Sequence, residues 1–268
     1  MRHYSKEKRE KIFRDIRENG YSLLKNLYSE DQLNKIKNSL YNMLNYIKPD
    51  EKITNLQEKY YQVKKYSRIL KGHFYDLCKK EVEILRLAQD PKVIDLVKRF
   101  FDVDVVFSTD PGIVIYDDDN DRLLTPHQET GQISKNFLII WIPLYDAKDD
   151  QGGLLIYKNS HKHGYWKHNV NNKPGSTNVC SDALKKFKKK KLEVKAGSAL
   201  LIHSALIHGS VKTKKKNFSR LIVIDRLCPL KSLPYLTREK VSKYIPYNGH
   251  GIGGDKVDYN TENIYLDD

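Results

Sequence analysis

Cysteine is scarce in this chain: there are three, Cys78, Cys180 and Cys228, odd in number and far apart. That excludes a disulfide framework, which needs paired cysteines, and a thiolate zinc cluster, which needs them closely spaced. Reduced thiols in a cytoplasmic protein are expected. Long apolar runs are missing too. No stretch approaches the roughly 20 residues that span a bilayer, and Met1-Arg2-His3-Tyr4-Ser5-Lys6 leads into charge rather than an apolar signal core, so no membrane span is expected. No heptad seam is present to set an oligomeric state. Acid is outnumbered, with 34 Asp and Glu against 48 Lys and Arg, a formal charge of +14. Two basic runs stand out, Lys185-Lys186-Phe187-Lys188-Lys189-Lys190-Lys191 and Lys212-Thr213-Lys214-Lys215-Lys216. A cationic rim of this kind would attract an anionic substrate, such as a coenzyme A or carrier-protein thioester, a nucleotide-linked sugar or a phosphorylated metabolite. The same lysines serve equally as solvated faces of a lysine-rich chain. Nucleic acid ranks low as a partner, because no recognition motif accompanies the charge.

What is present divides the chain by pattern. The 268 residues are read as one domain, 1–268, with a mainly helical part over 1–102, a β-barrel core over 103–228 and an irregular C-terminal tail over 229–268 that is a candidate lid. A charged helix is expected over residues 6–19, ending at Gly20, with a short strand over 21–27. Ser29 and Gln32 have capping-box spacing and open a helix towards Tyr46, with Leu33, Ile36, Leu40 and Met43 on one stripe. Asp90-Pro91 places an N-cap residue before a proline at the first helical position, and that helix should end near Phe101. From Val103 the pattern becomes short β-branched runs separated by Asp, Asn, Gly and Lys, as in an antiparallel barrel. The acidic stretch 117–121 lacks the glycine and glutamate of a calcium loop and reads as a solvated turn. The glycines of the tail are too few for a phosphate loop.

Within the β region, His127-Gln128-Glu129 puts an imidazole and a carboxylate on one side of an extended segment, with Gln128 pointing away. A second histidine, His208, lies in the run 198–210, which reads as two short buried strands around a turn. Two imidazoles and one carboxylate on one face of a metal leave the opposite face open, the arrangement of non-heme Fe(II) oxygenases. Arg220 follows in Asn217-Phe218-Ser219-Arg220-Leu221-Ile222-Val223-Ile224, the expected last barrel strand. A guanidinium buried there needs an anion, and its two-pronged donor set fits a carboxylate.

Taken together, His127-Gln128-Glu129, then Gln151-Gly152-Gly153-Leu154-Leu155-Ile156-Tyr157-Lys158-Asn159-Ser160-His161-Lys162-His163-Gly164, then the run 203–210 and Arg220 resemble the phytanoyl-CoA dioxygenase family of Fe(II)/2-oxoglutarate oxygenases, over about 20–228. The resemblance implies α+β architecture, mainly β with flanking helices, built on a double-stranded β-helix (jelly-roll, cupin-like) barrel. It implies a dioxygenase in which His127, Glu129 and His208 hold Fe(II), and 2-oxoglutarate chelates the iron while its far carboxylate meets Arg220, with the Ser210 hydroxyl beside it. Trp141 and Tyr116 would line that pocket. With O2, such an enzyme hydroxylates an unactivated C–H bond of a small or carrier-linked metabolite and releases succinate and CO2. Two departures stand out: Lys158-Asn159 replaces the family's Pro-Gly, and Glu129 stands where the family has Asp. Halogenating relatives replace that carboxylate by a small residue, so Glu129 favours hydroxylation or another two-electron oxidation. The rival readings are a catalytically silent member acting as a binding module, and a barrel metalloenzyme that does not use 2-oxoglutarate; Arg220 argues against both. His203 also matches the family and reads as a core residue, whereas His161, His163 and His168 read as a solvated loop. The substrate and the position and stereochemistry of its oxidation are not written in these motifs.

Overall fold

The computed structural model describes residues 4–109, 111–117, 125–129, 136–149, 151–166, 168–170, 177–213 and 218–232. The candidate lid beyond Ser232, the acidic turn beyond Asp117, and Lys214, Lys215 and Lys216 lie outside them; the first tail residues are regular, Pro229 ending the last strand and Leu230–Ser232 forming a 3-10 turn.

Helices lead. Helix α1 (Lys6–Asn19) starts at Ser5, whose hydroxyl accepts from the Lys8 N–H, and stops at Gly20, which takes a left-handed φ of 82°. Strand β1 (Tyr21–Leu24) follows directly. The Ser29/Gln32 capping box opens α2 (Glu30–Ile47), whose buried stripe is Leu33, Ile36, Leu40 and Leu44. Leu44 takes the place expected for Met43, which is half-buried, because a four-residue step follows the 3.6-residue turn past Leu40 better than two three-residue steps do. Three further helices, α3 (Leu56–Tyr66), α4 (Arg68–Cys78) and α5 (Val82–Ala88), were not expected from the sequence pattern; side chains of Asn55, Ser67 and Glu81 cap them. Helix α6 (Pro91–Phe101) has Asp90 as N-cap and proline at its start, as expected. Among the described residues no helix is long and apolar enough to cross a membrane.

Two antiparallel sheets follow. The larger contains β2 (Val106–Ser108), β3 (Gly112–Asp117), β4 (Leu138–Pro143), β9 (Ala199–His203) and β11 (Ser219–Pro229), in the order β1-β9-β4-β11-β2, with β3 also beside β11. The smaller has the order β10-β5-β8, from β5 (Leu154–Tyr157), β8 (Lys189–Leu192) and β10 (His208–Ser210). Strands β6 (His168–Val170) and β7 (Thr177–Val179) form a separate ribbon, and α7 (Ser181–Lys185) precedes β8. This is a jelly-roll with flanking helices.

The period of two along the strands sorts the core. Leu138, Ile140 and Ile142 of β4 and Leu221, Val223 and Leu227 of β11 share one cluster with α1, α2 and α6. The alternate residues Ile139, Trp141, Ile222, Ile224 and Cys228 face the other way, into a second cluster with Leu154 and Ile156 of the small sheet. Strand β11 runs five residues past Ile224, where the sequence pattern placed the end of the last strand, because β3 pairs with its first half and β2 with its last three residues while β4 runs along the opposite edge.

Candidate metal centre

His127 lies outside any named strand and forms an isolated antiparallel bridge with His208. His127 N–H donates to the His208 carbonyl (2.9 Å), and His208 N–H donates to the His127 carbonyl (3.0 Å). Residues opposed in this way project to one side, so the two rings stand with centroids 4.5 Å apart. Glu129, two residues on, reaches the same face, and its N–H donates to the Ser204 carbonyl (3.0 Å). One donor atom from each of His127, Glu129 and His208 lies within 4.8 Å of the others. The tautomers follow from the neighbours. His127 Nδ1 sits 2.8 Å from the Thr125 carbonyl and His208 Nδ1 2.9 Å from that of Leu206. A carbonyl only accepts, so each Nδ1 carries a proton, and the metal-facing lone pair belongs to Nε2. Gln128 turns to the opposite side as expected, where its amide donates to the Gly164 and Ala205 carbonyls and its oxygen accepts from the Trp166 N–H. That grip fixes the segment between the two candidate ligands.

A residue that sequence reasoning missed completes the group. Arg226 Nε donates to Glu129 Oε2 at 3.0 Å, while Glu129 Oε1 lies 3.7 Å from His127 Nε2. The signal was available in the parity of β11, since Arg226 shares the inward face with Arg220, but the strand had been ended at Ile224. Burial alone would push the Glu129 carboxyl up; Arg226, His127 and His208 together hold it well below the usual carboxylate range. Burial also opposes charge on His127, yet Glu129 outweighs it and the pKa rises. His208 is pushed down to about 4 by burial, with His127 adding to the shift against Glu129. Two imidazoles and a carboxylate with bare lone pairs converging on one point are a donor set for a borderline divalent metal, and iron fits it.

The second half of the site is a cation. Arg220, 3% exposed, donates through Nη1 to the Gly152 carbonyl and through Nη2 to Ser210 Oγ (3.0 Å). Tyr116 and Trp141 flank it, each ring centroid 5.3 Å from the guanidinium carbon. Gly152 has a φ of 71°, and a Cβ there would meet the Tyr116 ring at 2.9 Å, so the clamp depends on glycine at this turn. Arg220 Nε is buried without a hydrogen-bond partner, and among the described residues no carboxylate pairs with the guanidinium. Burial pushes its pKa down to about 9, with Tyr116 acting the other way. Ser210 stands two residues beyond His208 on the same face of β10, so the guanidinium it accepts from and the three donor atoms share one side of the small sheet.

The remaining histidines divide differently from expectation. His161 is not solvated: it is 9% exposed, in a 3-10 turn, and its Nε2 lies 3.0 Å from the Arg17 carbonyl, beside the close approach of Gly20. His163 is exposed, and His203 is half-buried, accepting at Nδ1 from the Ala205 N–H. The first basic run is exposed on α7 and β8, at the outer edge of the small sheet, where Lys190 reaches the Tyr21 hydroxyl and Lys191 pairs with Asp149. Lysines on a strand edge also protect it from pairing with another chain.

Comparisons with known proteins agree with this architecture. No curated protein matches the chain in sequence. Among solved structures, the epimerase SnoN in complex with Fe3+, alpha ketoglutarate and nogalamycin RO is similar with a TM-score of 0.62 at 12% identity, covering 94% of this chain and 93% of that one. The carbocyclase SnoK from nogalamycin biosynthesis gives 0.57 at 15%, covering 84% of each chain. EctD from S. alaskensis, with 2-oxoglutarate and 5-hydroxyectoine, gives 0.55 at 15%, covering 85% of this chain and 77% of that one. The profile of phytanoyl-CoA dioxygenase (PhyH) matches residues 16–219, most of the chain, and the protein belongs to that family.

Proposed function

We propose that this chain, read as one oxygenase domain, is an Fe(II)/2-oxoglutarate-dependent oxygenase that hydroxylates an unactivated C–H bond of a small or carrier-linked metabolite. The observation that carries the reading is a pairing: three converging donor atoms, and on the same inward face a buried guanidinium that no carboxylate meets among the described residues. A silent binding module has no use for both, and a metalloenzyme without a keto acid has no use for Arg220.

In this reading His127, Glu129 and His208 hold iron, which with 2-oxoglutarate and O2 supplies the oxidising power and yields succinate and CO2. The chain's own residues bind, orient and exclude water. Arg220 and Ser210 hold the distal carboxylate, and Trp141 and Tyr116 wall the guanidinium from solvent, which strengthens that ion pair. The Thr125 and Leu206 carbonyls keep both imidazoles in the Nδ1–H form and fix their rings. A cytoplasmic setting suits ferrous iron and the three free thiols. The cationic edge at Lys185, Lys186 and Lys188 favours an anionic or carrier-linked substrate by steering. SnoN is a non-heme alpha ketoglutarate dependent epimerase and SnoK a carbocyclase, so the substrate's geometry would decide between outcomes of that kind and hydroxylation.

The test is an anaerobic titration of metal-free protein with Fe(II) and 2-oxoglutarate, following the visible metal-to-ligand charge-transfer band. The band is expected in wild type, absent in His208→Ala, and in Arg220→Ala present only at far higher 2-oxoglutarate. A folded wild-type protein that binds iron yet never develops the band removes 2-oxoglutarate from the reading.

A further inference from the structure

Glu129 is the residue by which this site departs most from its family pattern, and its environment is asymmetric. The longer side chain can bring both carboxylate oxygens to a metal, which a shorter, tethered carboxylate does less readily. Here the two oxygens have different partners. Oε1 faces His127 Nε2 at 3.7 Å, within the donor cluster, whereas Oε2 accepts from Arg226 Nε at 3.0 Å. Arg226 itself is anchored. It stands on β11 opposite Ile139 of β4, its carbonyl accepts from the Thr109 N–H (3.2 Å) and hydroxyl (3.1 Å), and its side chain is only 12% exposed. Glu129 is equally constrained, since its N–H is bonded to Ser204 and Gln128 holds the backbone beside it.

We propose that Arg226 is a positioning residue that occupies Oε2 and so presents Glu129 to the metal through Oε1 alone. The inference rests on the metal-site reading above. Its consequence is one of counting. An octahedral ion has six positions, and three single-atom protein ligands leave three, enough for a chelating keto acid and one further ligand. A carboxylate bound through both oxygens leaves two, so it competes directly with either the chelate or the last ligand. Arg226 also places a positive charge close to the metal, which disfavours the cation; its benefit therefore lies in ligand geometry, and not in metal affinity. A merely structural arginine predicts the reverse, loss of metal and cosubstrate together as the site loosens.

The experiment compares wild type, Arg226→Met, Arg226→Lys and Arg220→Met as metal-free proteins. Each is checked by circular dichroism, titrated with Co(II), and then titrated with 2-oxoglutarate in the presence of saturating Co(II). Cobalt absorption reports coordination without turnover. Arg226→Met is expected to bind Co(II) at least as tightly as wild type, with a changed visible spectrum before any 2-oxoglutarate is added, and to need about tenfold or more 2-oxoglutarate, the size usual for a lost outer partner. Arg226→Lys, which keeps a donor near Oε2, should recover part of both effects. Arg220→Met should weaken 2-oxoglutarate while leaving the Co(II)-only spectrum as in wild type. An unchanged Co(II)-only spectrum in Arg226→Met, or loss of metal and 2-oxoglutarate by similar factors, overturns the proposal; if Met does not fold, the same criteria apply to Lys. Failure of wild type to bind Co(II) would instead remove the metal-site reading on which it rests.

Discussion

The two faces of the large sheet are made by the same strands and do different things. On β11 the odd-numbered Leu221, Val223 and Leu227 pack outward against helices, while the even-numbered Arg220, Ile222, Ile224, Arg226 and Cys228 share the inward face. The outer face is close to pure apolar packing. Its main exception, Asp225, is fully buried but satisfied by the Ser108 hydroxyl (2.6 Å) and the Arg226 N–H (2.7 Å). The inner face carries two guanidiniums, and opposite them stand two imidazoles and a carboxylate with donor atoms turned to one point. One-residue alternation thus separates a surface selected for stability from one that holds charges at a cost to stability.

The largest expected effect tests the inner face. Glu129→Ala leaves Arg226 without its partner carboxylate, and breaking a buried pair from one side costs about 3–5 kcal/mol. Denaturant melts of the metal-free variant should show that loss, and adding Arg226→Met should restore most of it. A single variant as stable as wild type would mean that water reaches Arg226, and the contrast between faces would weaken. The matching test on the outer face is Leu40→Ala. Leu40 is fully buried in α2, and truncation there should cost about 2–5 kcal/mol while the folded protein keeps its wild-type metal affinity. A large fall in metal affinity would show that the two faces are coupled through the sheet.

Acid should act on the inner face first. His208 is held at about 4 by burial, below the roughly 6.5 of a free imidazole. Between those values the unfolded chain binds more protons than the native one, so stability of the metal-free protein falls as pH drops through this window, by up to about 3 kcal/mol. His127, raised by Glu129, works with the opposite sign: its contribution is full below about 6.5 and is lost as pH rises through its native value. Comparing melts at pH 7 and 4.5 in wild type and His208→Ala isolates the first term. An equally steep decline in the variant would assign the acid sensitivity elsewhere.

The difference between faces also explains what could be read in advance. Apolar periodicity and caps are local, so Ser29/Gln32, Asp90-Pro91 and the period-two runs were legible, as was the meeting of His127, Glu129 and His208, because residue type and order carry a family likeness. The block from Leu56 to Ala88 was not. Its helices have aromatic and lysine-rich faces, and buried Lys59, whose ammonium reaches the Asp50 carbonyl, breaks the apolar stripe. Arg226 was missed because the expected last strand stops at Ile224, so its place on the inward face and its pairing across the fold with Glu129 went unread. His161 looked solvated in a polar stretch, yet tertiary contact with the α1 terminus buries it.

The smallest expected change in stability is the most telling. Arg220 is buried beside Tyr116 and Trp141 with Nε unsatisfied, and among the described residues no carboxylate offsets the cost of burying its charge. Replacing it by Met, similar in length and apolar, removes that cost along with the bonds to Gly152 and Ser210, and the two changes should nearly offset. Arg220→Met is therefore expected to melt within a few degrees of wild type. The contrast appears on adding 2-oxoglutarate with Co(II). A ligand at a hundred times its dissociation constant stabilises by about 2.7 kcal/mol, so wild type should gain several degrees over Co(II) alone while the variant gains little. A variant that melts far below wild type would make Arg220 a structural arginine. One that melts normally but still gains from 2-oxoglutarate would move the clamp to another cation, and the inward face of β11 would lose its claim to both ends of the site.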